Sequence, residues 1–145
     1  MPSAGAKTAS DEALAKVALE TRGDYHQRHM PNIAYGHALE SVWHLVTQAN
    51  RYVDDNAPWK LAKDPAQAAR LDTVLAYLVD VVALLGSLVE PFMPSTAKEI
   101  ARQLNVEKLP PSHLGDWTNP AGTGHKLGDA KPLFPRVVVE GKPPA

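Results

Sequence analysis

The sequence contains no cysteine. Disulfide frameworks, thiolate zinc sites and cysteine nucleophiles are therefore excluded. It also lacks an excess of positive charge, because 15 Lys and Arg residues stand against 16 Asp and Glu residues. Binding to a nucleic acid must then depend on a local patch. The 145 residues suffice for about one domain and leave no room for an additional nucleotide-activating domain of ~200 residues.

The common motifs of catalysis are missing as well. No glycine-rich loop stands between a predicted strand and a predicted helix, and no serine occupies a Gly-x-Ser-x-Gly turn. We expect His37 and His44 on the surface, without the carboxylate that would complete a metal site. The sequence thus predicts no catalytic residue, no metal site and no cofactor on this chain.

No signal-peptide pattern opens the chain. The most apolar stretch, residues 71–89, carries Asp72 and Asp80, which is unusual for a membrane span. We therefore expect a cytoplasmic protein with no membrane partner.

Proline placement predicts where the helices run, because an interior proline breaks the helical hydrogen-bond ladder. The 13 prolines leave two long gaps, 31–58 and 65–91. Ser10 is the predicted N-cap of the first helix, and the other predicted helices cover about 33–53, 65–89 and 96–105. Asp64 with Pro65 is expected to start the third helix as cap and first-turn proline, and Thr96 with Glu99 is expected to form a capping box for the fourth. These helices predict an all-α antiparallel bundle at 10–109, after a loose segment at 1–9. Residues 110–145 are rich in Pro and Gly and predict an irregular, extended arm in which only 136–140 resembles a strand.

Apolar periodicity predicts the core faces of the two longest helices. The second helix is expected to bury a stripe with Trp43 beside it: Tyr35, Leu39, Val42, Val46, Ala49 and Val53. The third helix carries two neighbouring stripes, which predict a central position. The first comprises Leu71, Leu75, Leu78, Val82, Leu85 and Val89, and the second comprises Val74, Val81, Leu84 and Leu88.

The segment 50–60 joins two helices and places Trp59 directly after the rigid Pro58. Four cations lie nearby in sequence: Arg51, Lys60, Lys63 and Arg70. An aromatic face with local cations suits recognition of an unpaired base. On the pattern alone, the favoured alternative is that Trp59 packs under the loop and the cations are only solvated.

The run from Ala49 to Asp54, continued by Ala57-Pro58-Trp59-Lys60-Leu61, resembles the anticodon-binding domain of methionyl-tRNA synthetase. Further similar sequence segments occur at residues 38–46, 73–75, 90–97 and 132–137, so that the resemblance covers about residues 11–139. It implies a helical bundle that reads the CAU anticodon of methionine tRNAs.

The resemblance also implies roles for individual residues. Trp59 would contact the unstacked anticodon bases, and Pro58 would hold its backbone. Asp54 would lie beside the anticodon pocket. Asn50 and Arg51 match the motif, with helix-end structure as their first role and RNA contact as their second, and Lys60 would supply a local cation.

The synthetase's catalytic domain, with its His-x-Gly-His and Lys-Met-Ser-Lys-Ser signatures, is not in this sequence. The family helix that carries an Asn-x-x-x-Arg pair is expected to precede Met1. We therefore expect a C-terminal fragment that is inactive alone, because ATP and methionine would bind the missing domain. Its expected partners are the tRNA-Met anticodon stem-loop and a synthetase catalytic domain, towards which residues 125–138 would dock. The alternatives are a helical protein-interaction module and a non-functional remnant.

Overall fold

The computed structural model describes residues 7–109 and 126–135. Their helices are α1 (Ala9–Gly23), α2 (Tyr35–Asn56), α3 (Pro58–Leu61), α4 (Ala68–Val89) and α5 (Pro94–Gln103). A π-helical turn (Asp24–His29) follows α1, and a 3-10 turn (Pro65–Gln67) precedes α4. Within these ranges the secondary structure is helical without strands, which confirms the predicted all-α class. The strand-like residues 136–140 lie outside them.

The main core lies between α1, α2 and α4. Its largest fully buried side chains include Tyr25, Leu45, Leu88 and Val81. Tyr25 comes from the π-helical turn and donates its hydroxyl to the carbonyl of Leu88 on α4 at 2.8 Å. A second, smaller cluster lies between α4 and α5: Ala83, Ala97, Ile100, Leu104 and Leu109. The helix α4 is therefore central, as predicted, with neighbours on two sides.

The buried face of α2 differs from the predicted stripe. The residues that α2 buries are Ala38, Val42, Leu45 and Tyr52. Leu45 and Tyr52 are absent from the predicted stripe, whereas Tyr35 keeps 47% and Trp43 50% of its surface exposed. The prediction was wrong because α2 packs against α1 as well as α4. The residues that α2 buries therefore include a set facing α1, and the predicted stripe lies at one edge of the buried surface.

On α4, only the second predicted stripe belongs fully to the core. Val74, Val81, Leu84 and Leu88 are buried. Most of the first stripe is partly exposed, with Leu75 at 45% and Val82 at 39%. The helix with its preceding turn, Pro65–Val89, is long and apolar enough to cross a membrane by length and composition, but half of its most apolar window is buried inside the bundle. A core helix of a soluble protein passes the same test.

Of the three helix starts predicted from capping residues, one agrees with the structure. Asp64 accepts a hydrogen bond from the backbone of Ala66, and Pro65 occupies the first position of the turn, as predicted. However, α1 begins one residue before Ser10, with Thr8 as its N-cap, and α5 begins at Pro94 and not at Thr96. Thr8 serves as the N-cap of α1 because its backbone N–H donates to the carboxylate of Asp11 at 2.8 Å.

Residues 126–135 lie along the end of α5. The backbone N–H of Gly128 donates to the carbonyl of Gln103 at 2.8 Å. The side chains of Arg102 and Asn105 donate to the carbonyls of Asp129 and Lys126. Residues 125–138 were expected to dock on a synthetase catalytic domain. In this structure residues 126–135 lie against α5 of the same chain.

Candidate nucleic-acid interface

The junction between α2 and α3 is a sharp turn made by a left-handed alanine. Ala57 has φ 41° and ψ 63°, a region that non-glycine residues rarely adopt. Its carbonyl accepts from the backbone N–H of Lys60 at 2.7 Å. Pro58 follows at the first position of α3, where its missing N–H costs nothing. The left-handed residue therefore separates the two helices, and a new helical turn starts at Pro58.

Trp59 is presented on the outside of this turn. Its side chain is 52% exposed, whereas Leu61 packs against the main core. Lys60 is exposed as well. The short α3 is thus fixed through Leu61 and leaves Trp59 and Lys60 open to solvent, unlike the alternative in which Trp59 packs beneath the loop.

The other residues suggested by the motif lie in the last two turns of α2. Asn50 and Asp54 are both exposed and lie one helical turn apart on one face. Arg51 projects about 100° around the helix from Asn50. Its Nε lies 3.8 Å from a carboxylate oxygen of Asp55, and both side chains are mostly exposed. The fold therefore keeps Asn50 and Asp54 together, and the Arg51 guanidinium lies towards Asp55.

Arg70 is not a free cation of this site, contrary to the sequence interpretation. Only 18% of its side chain is exposed, and the side chain of Asp11 opposite it is fully buried. The two form a bidentate pair, with Nη1 at 2.6 Å and Nη2 at 2.9 Å from the carboxylate oxygens of Asp11. This geometry commits Arg70 to joining the start of α4 to the start of α1.

Two further side chains complete this buried network. The hydroxyl of Tyr52 donates to Asp11 at 2.5 Å, and the Oδ1 of Asn56 accepts from Nη2 of Arg70 at 2.5 Å. Burial by itself would raise the pKa of Asp11, but the hydrogen bonds from Arg70, Tyr52 and Thr8 hold it well below its usual range. Burial and the bond to Asp11 raise the pKa of the Tyr52 hydroxyl. Asp11 is therefore ionised and Tyr52 neutral at physiological pH.

The sequence interpretation missed the network formed by Asp11, Tyr52, Asn56 and Arg70. Asp11 looks like an acidic residue at the start of a helix, facing the positive end of its dipole. Its partner Arg70 lies 59 residues away, so no local spacing connects them. The one available signal is the position of Tyr52 on α2, in phase with the buried residues Leu45 and Ala38.

A concave region lies between α1, the π-helical turn and the first half of α2. It is a cleft of about 380 Å³ whose lining includes Asp24, His29, His37 and His44. His37 lies 3.1 Å from the carboxylate of Glu40, so the expectation that no carboxylate accompanies these histidines is wrong. Across residues 7–109 and 126–135, no group of three or more His, Asp or Glu side chains is arranged to hold a metal ion.

Comparison with known proteins gives consistent results at the levels of sequence and structure. The family model described as the anticodon binding domain of methionyl tRNA ligase matches residues 1–142. A methionine–tRNA ligase from Streptococcus pneumoniae is 37% identical over 136 residues, which are 92% of this chain and 20% of that protein. One from Clostridium tetani is 36% identical over 143 residues, or 98% of this chain and 22% of that protein.

The fold is similar to a crystal structure of the apo form of Mycobacterium tuberculosis methionyl-tRNA synthetase. The TM-score is 0.75 at 28% identity, and the match covers 99% of this chain and 28% of that one. The chain thus spans about a fifth of the length of the curated relatives named above. Since the match runs over residues 1–142 in sequence and over 99% of the chain in structure, the chain belongs to the family of methionyl-tRNA ligase anticodon-binding domains.

Proposed function

We propose that this chain binds the anticodon loop of tRNA-Met, as the anticodon-recognising part of a methionine–tRNA ligase. The observation that carries the proposal is the presentation of Trp59 on a turn fixed by Ala57, Pro58 and Leu61. Unstacked bases of a loop are recognised by stacking on exposed aromatic rings and by hydrogen bonds to their edges. A ring that is half exposed and held by a rigid turn provides such a platform at little cost in entropy.

Local charge favours stacking over general electrostatic attraction. Between residues 50 and 65, three cations (Arg51, Lys60 and Lys63) are matched by three carboxylates (Asp54, Asp55 and Asp64). Binding to phosphates requires cations that are not already neutralised. Lys60, next to Trp59, is the cation best placed to contact a phosphate of a base-stacked loop.

The polar residues Asn50 and Asp54 provide hydrogen-bonding groups on the same end of α2. Asp54 offers acceptors for amino groups at base edges, and Asn50 offers both a donor and an acceptor. Arg51 differs because its guanidinium lies towards the carboxylate of Asp55, at 3.8 Å. We therefore assign base contacts to Asp54 and Asn50 before Arg51, with Pro58 holding the backbone that carries Trp59.

The proposal is tested by titrating a fluorescently labelled CAU anticodon stem-loop with the chain. Base–aromatic stacking contributes about 1–3 kcal/mol, so Trp59→Ala should weaken binding about 5- to 150-fold. Trp43→Ala is the matched control, since Trp43 has nearly the same exposure and lies about 20 Å from the end of α2. Its replacement should leave the affinity unchanged.

A stem-loop with an altered anticodon should bind more weakly than the CAU stem-loop. If both stem-loops bind equally and Trp59→Ala has no effect, the chain does not recognise the anticodon. The alternatives of a protein-interaction module or a remnant would then be preferred.

We further propose that this domain acts with the catalytic part of a methionine–tRNA ligase in the cytoplasm. The family match extends over almost the whole chain, so ATP and methionine would bind to protein outside these 145 residues. The partly exposed apolar residues Tyr35, Leu75 and Val82 offer surface for contact with such a part. The chain alone should show no methionine-dependent ATP–pyrophosphate exchange and no aminoacylation, and such activity in pure material would contradict this proposal.

A further inference from the structure

We infer that Asn56 is a positioning residue for Trp59: its side chain links the last turn of α2 to the buried Asp11–Arg70 pair and so fixes the turn that presents the ring. The inference rests on the proposed binding of RNA by Trp59. It concerns a residue that makes no contact with RNA in this proposal and acts through the backbone of Ala57 and Pro58.

The side chain of Asn56 is held at both of its polar ends. Its Nδ2 donates to the carbonyl of Tyr52 at 2.9 Å, and its Oδ1 accepts from Nη2 of Arg70 at 2.5 Å. The first bond ties the side chain back to the last turns of its own helix. The second connects the same residue to α4. Asn56 therefore has one defined position relative to two helices.

The groups that hold Asn56 are themselves fixed. Arg70 is locked by its two bonds to Asp11 and donates a further bond to the hydroxyl of Thr8 at 3.2 Å. The hydroxyl of Tyr52 bonds to the same carboxylate. Asp11 is fully buried, and Tyr52 is 4% exposed. Since buried, fully bonded networks are rigid, the position of Asn56 is determined by the core.

Asn56 stands immediately before the one strained residue of the junction. Ala57 has a positive φ, and a residue in this region persists only where its surroundings determine its conformation. On its other side, α3 is fixed by Leu61 against the core. The two hydrogen bonds of Asn56 on one side and the contact of Leu61 on the other enclose four residues: Ala57, Pro58, Trp59 and Lys60. Loss of the two Asn56 hydrogen bonds frees the end of α2 and allows the Trp59 ring to occupy several orientations.

The first test follows Trp59 fluorescence without RNA. In a chain carrying Trp43→Phe and Trp117→Phe, Trp59 is the sole tryptophan. Asn56→Ala should change its emission maximum and its quenching by acrylamide, and Asn56→Asp should have a smaller effect because it retains the acceptor for Arg70. Asn32→Ala is the matched control, since Asn32 also donates to the carbonyl four residues before it, but far from the junction. It should leave the spectrum unchanged.

The second test is a double-mutant cycle with the labelled CAU stem-loop, at a temperature where circular dichroism shows all variants folded. Asn56→Ala should weaken binding by a factor close to that of Trp59→Ala. In the Asn56→Ala background, Trp59→Ala should then cause less than about a 2-fold further loss, because the two residues act through one contact.

The outcomes separate this inference from the proposed function. If Trp59→Ala weakens binding but its effect is undiminished in the Asn56→Ala background, and the Trp59 spectrum is unchanged, then Asn56 does not position Trp59 and the inference is overturned. If Trp59→Ala has no effect in the otherwise unaltered chain, the proposed function fails, and the inference fails with it. A spectral change together with non-additive affinities supports the inference.

Discussion

Replacing Arg70 by methionine should destabilise the fold far more than the loss of an ordinary surface charge. The substitution leaves the carboxylate of Asp11 fully buried without the two hydrogen bonds and the charge that compensate it. Removal of one partner from a buried ion pair typically costs about 3–5 kcal/mol. We expect about 3 kcal/mol here, the lower end, because the Arg70 side chain keeps 18% of its surface in contact with water.

Urea unfolding followed by circular dichroism measures this loss. With a denaturant slope of about 1–3 kcal/mol per molar urea, the midpoint should fall by about 1–3 M. Since domains of this kind have ~5–15 kcal/mol of stability, the variant should remain folded in buffer only if the parent lies above the lower end of that range. Arg28→Met is the control: Arg28 pairs with Asp24 at 3.4 Å, but both side chains are largely exposed. That pair should contribute less than about 1 kcal/mol.

The same comparison has a pH dependence of defined sign. In the parent chain the pKa of Asp11 is held well below its usual range, so the pair contributes fully above about pH 4 and its contribution declines below that pH. Without Arg70, burial acts on Asp11 with less opposition, and its pKa rises. The variant then gains relative stability by protonating Asp11 as the pH falls. The difference between the two unfolding free energies should therefore be greatest near pH 7 and shrink below about pH 5.

Two results would refute this reasoning. The first is an Arg70→Met midpoint shift as small as that of Arg28→Met. The second is a difference in unfolding free energy that stays constant from pH 7 to pH 3, because a buried, ion-paired Asp11 cannot behave in this way.

Two further predictions concern packing. Leu88 is fully buried on α4, so Leu88→Ala should lower the free energy of unfolding, measured with urea, by about 2–5 kcal/mol. Leu75 is 45% exposed, so Leu75→Ala should lower it by less than about 1 kcal/mol. Equal losses would show that α4 turns a different face to the core. Gly128→Ala should release residues 126–135 from α5, because a Cβ atom there would lie 2.6 Å from the backbone oxygen of Arg102. Trypsin should then cleave faster after Lys126, but not in the control Gly36→Ala, whose added Cβ meets nothing within 4 Å; unchanged cleavage would contradict the docking of this segment.

Several features of the fold followed from local sequence alone. Proline spacing predicted the long helices, because a proline inside a helix removes a hydrogen bond and clashes with the preceding turn. The Asp64-Pro65 pair predicted the start of the α4 segment, because both residues act on the backbone immediately next to them. The sequence motif from Ala49 to Leu61 was sufficient to indicate the family, and the family match over residues 1–142 confirmed that prediction.

The buried faces were predicted less well, because the choice among several apolar stripes depends on which helices are neighbours. Trp43 lies in an apolar run of α2 yet keeps half its surface exposed, whereas Tyr52 is buried and bonded to Asp11. The sequence period offers more than one apolar stripe on α2, so it does not by itself decide which of these two aromatic residues is buried. The contact with α1 on one side of α2 decides it.

At the junction between α2 and α3, too, some features followed from local sequence and others only from tertiary structure. The sequence by itself placed Trp59 after Pro58 at a helix end, because that arrangement is local. Only the tertiary structure showed that Arg70 is committed to Asp11 and to Asn56, because those partners lie 59 and 14 residues away in the chain. Charges near each other in sequence can be counted from a sequence, but whether a charge is free or buried in a pair depends on contacts that form only when distant helices pack together.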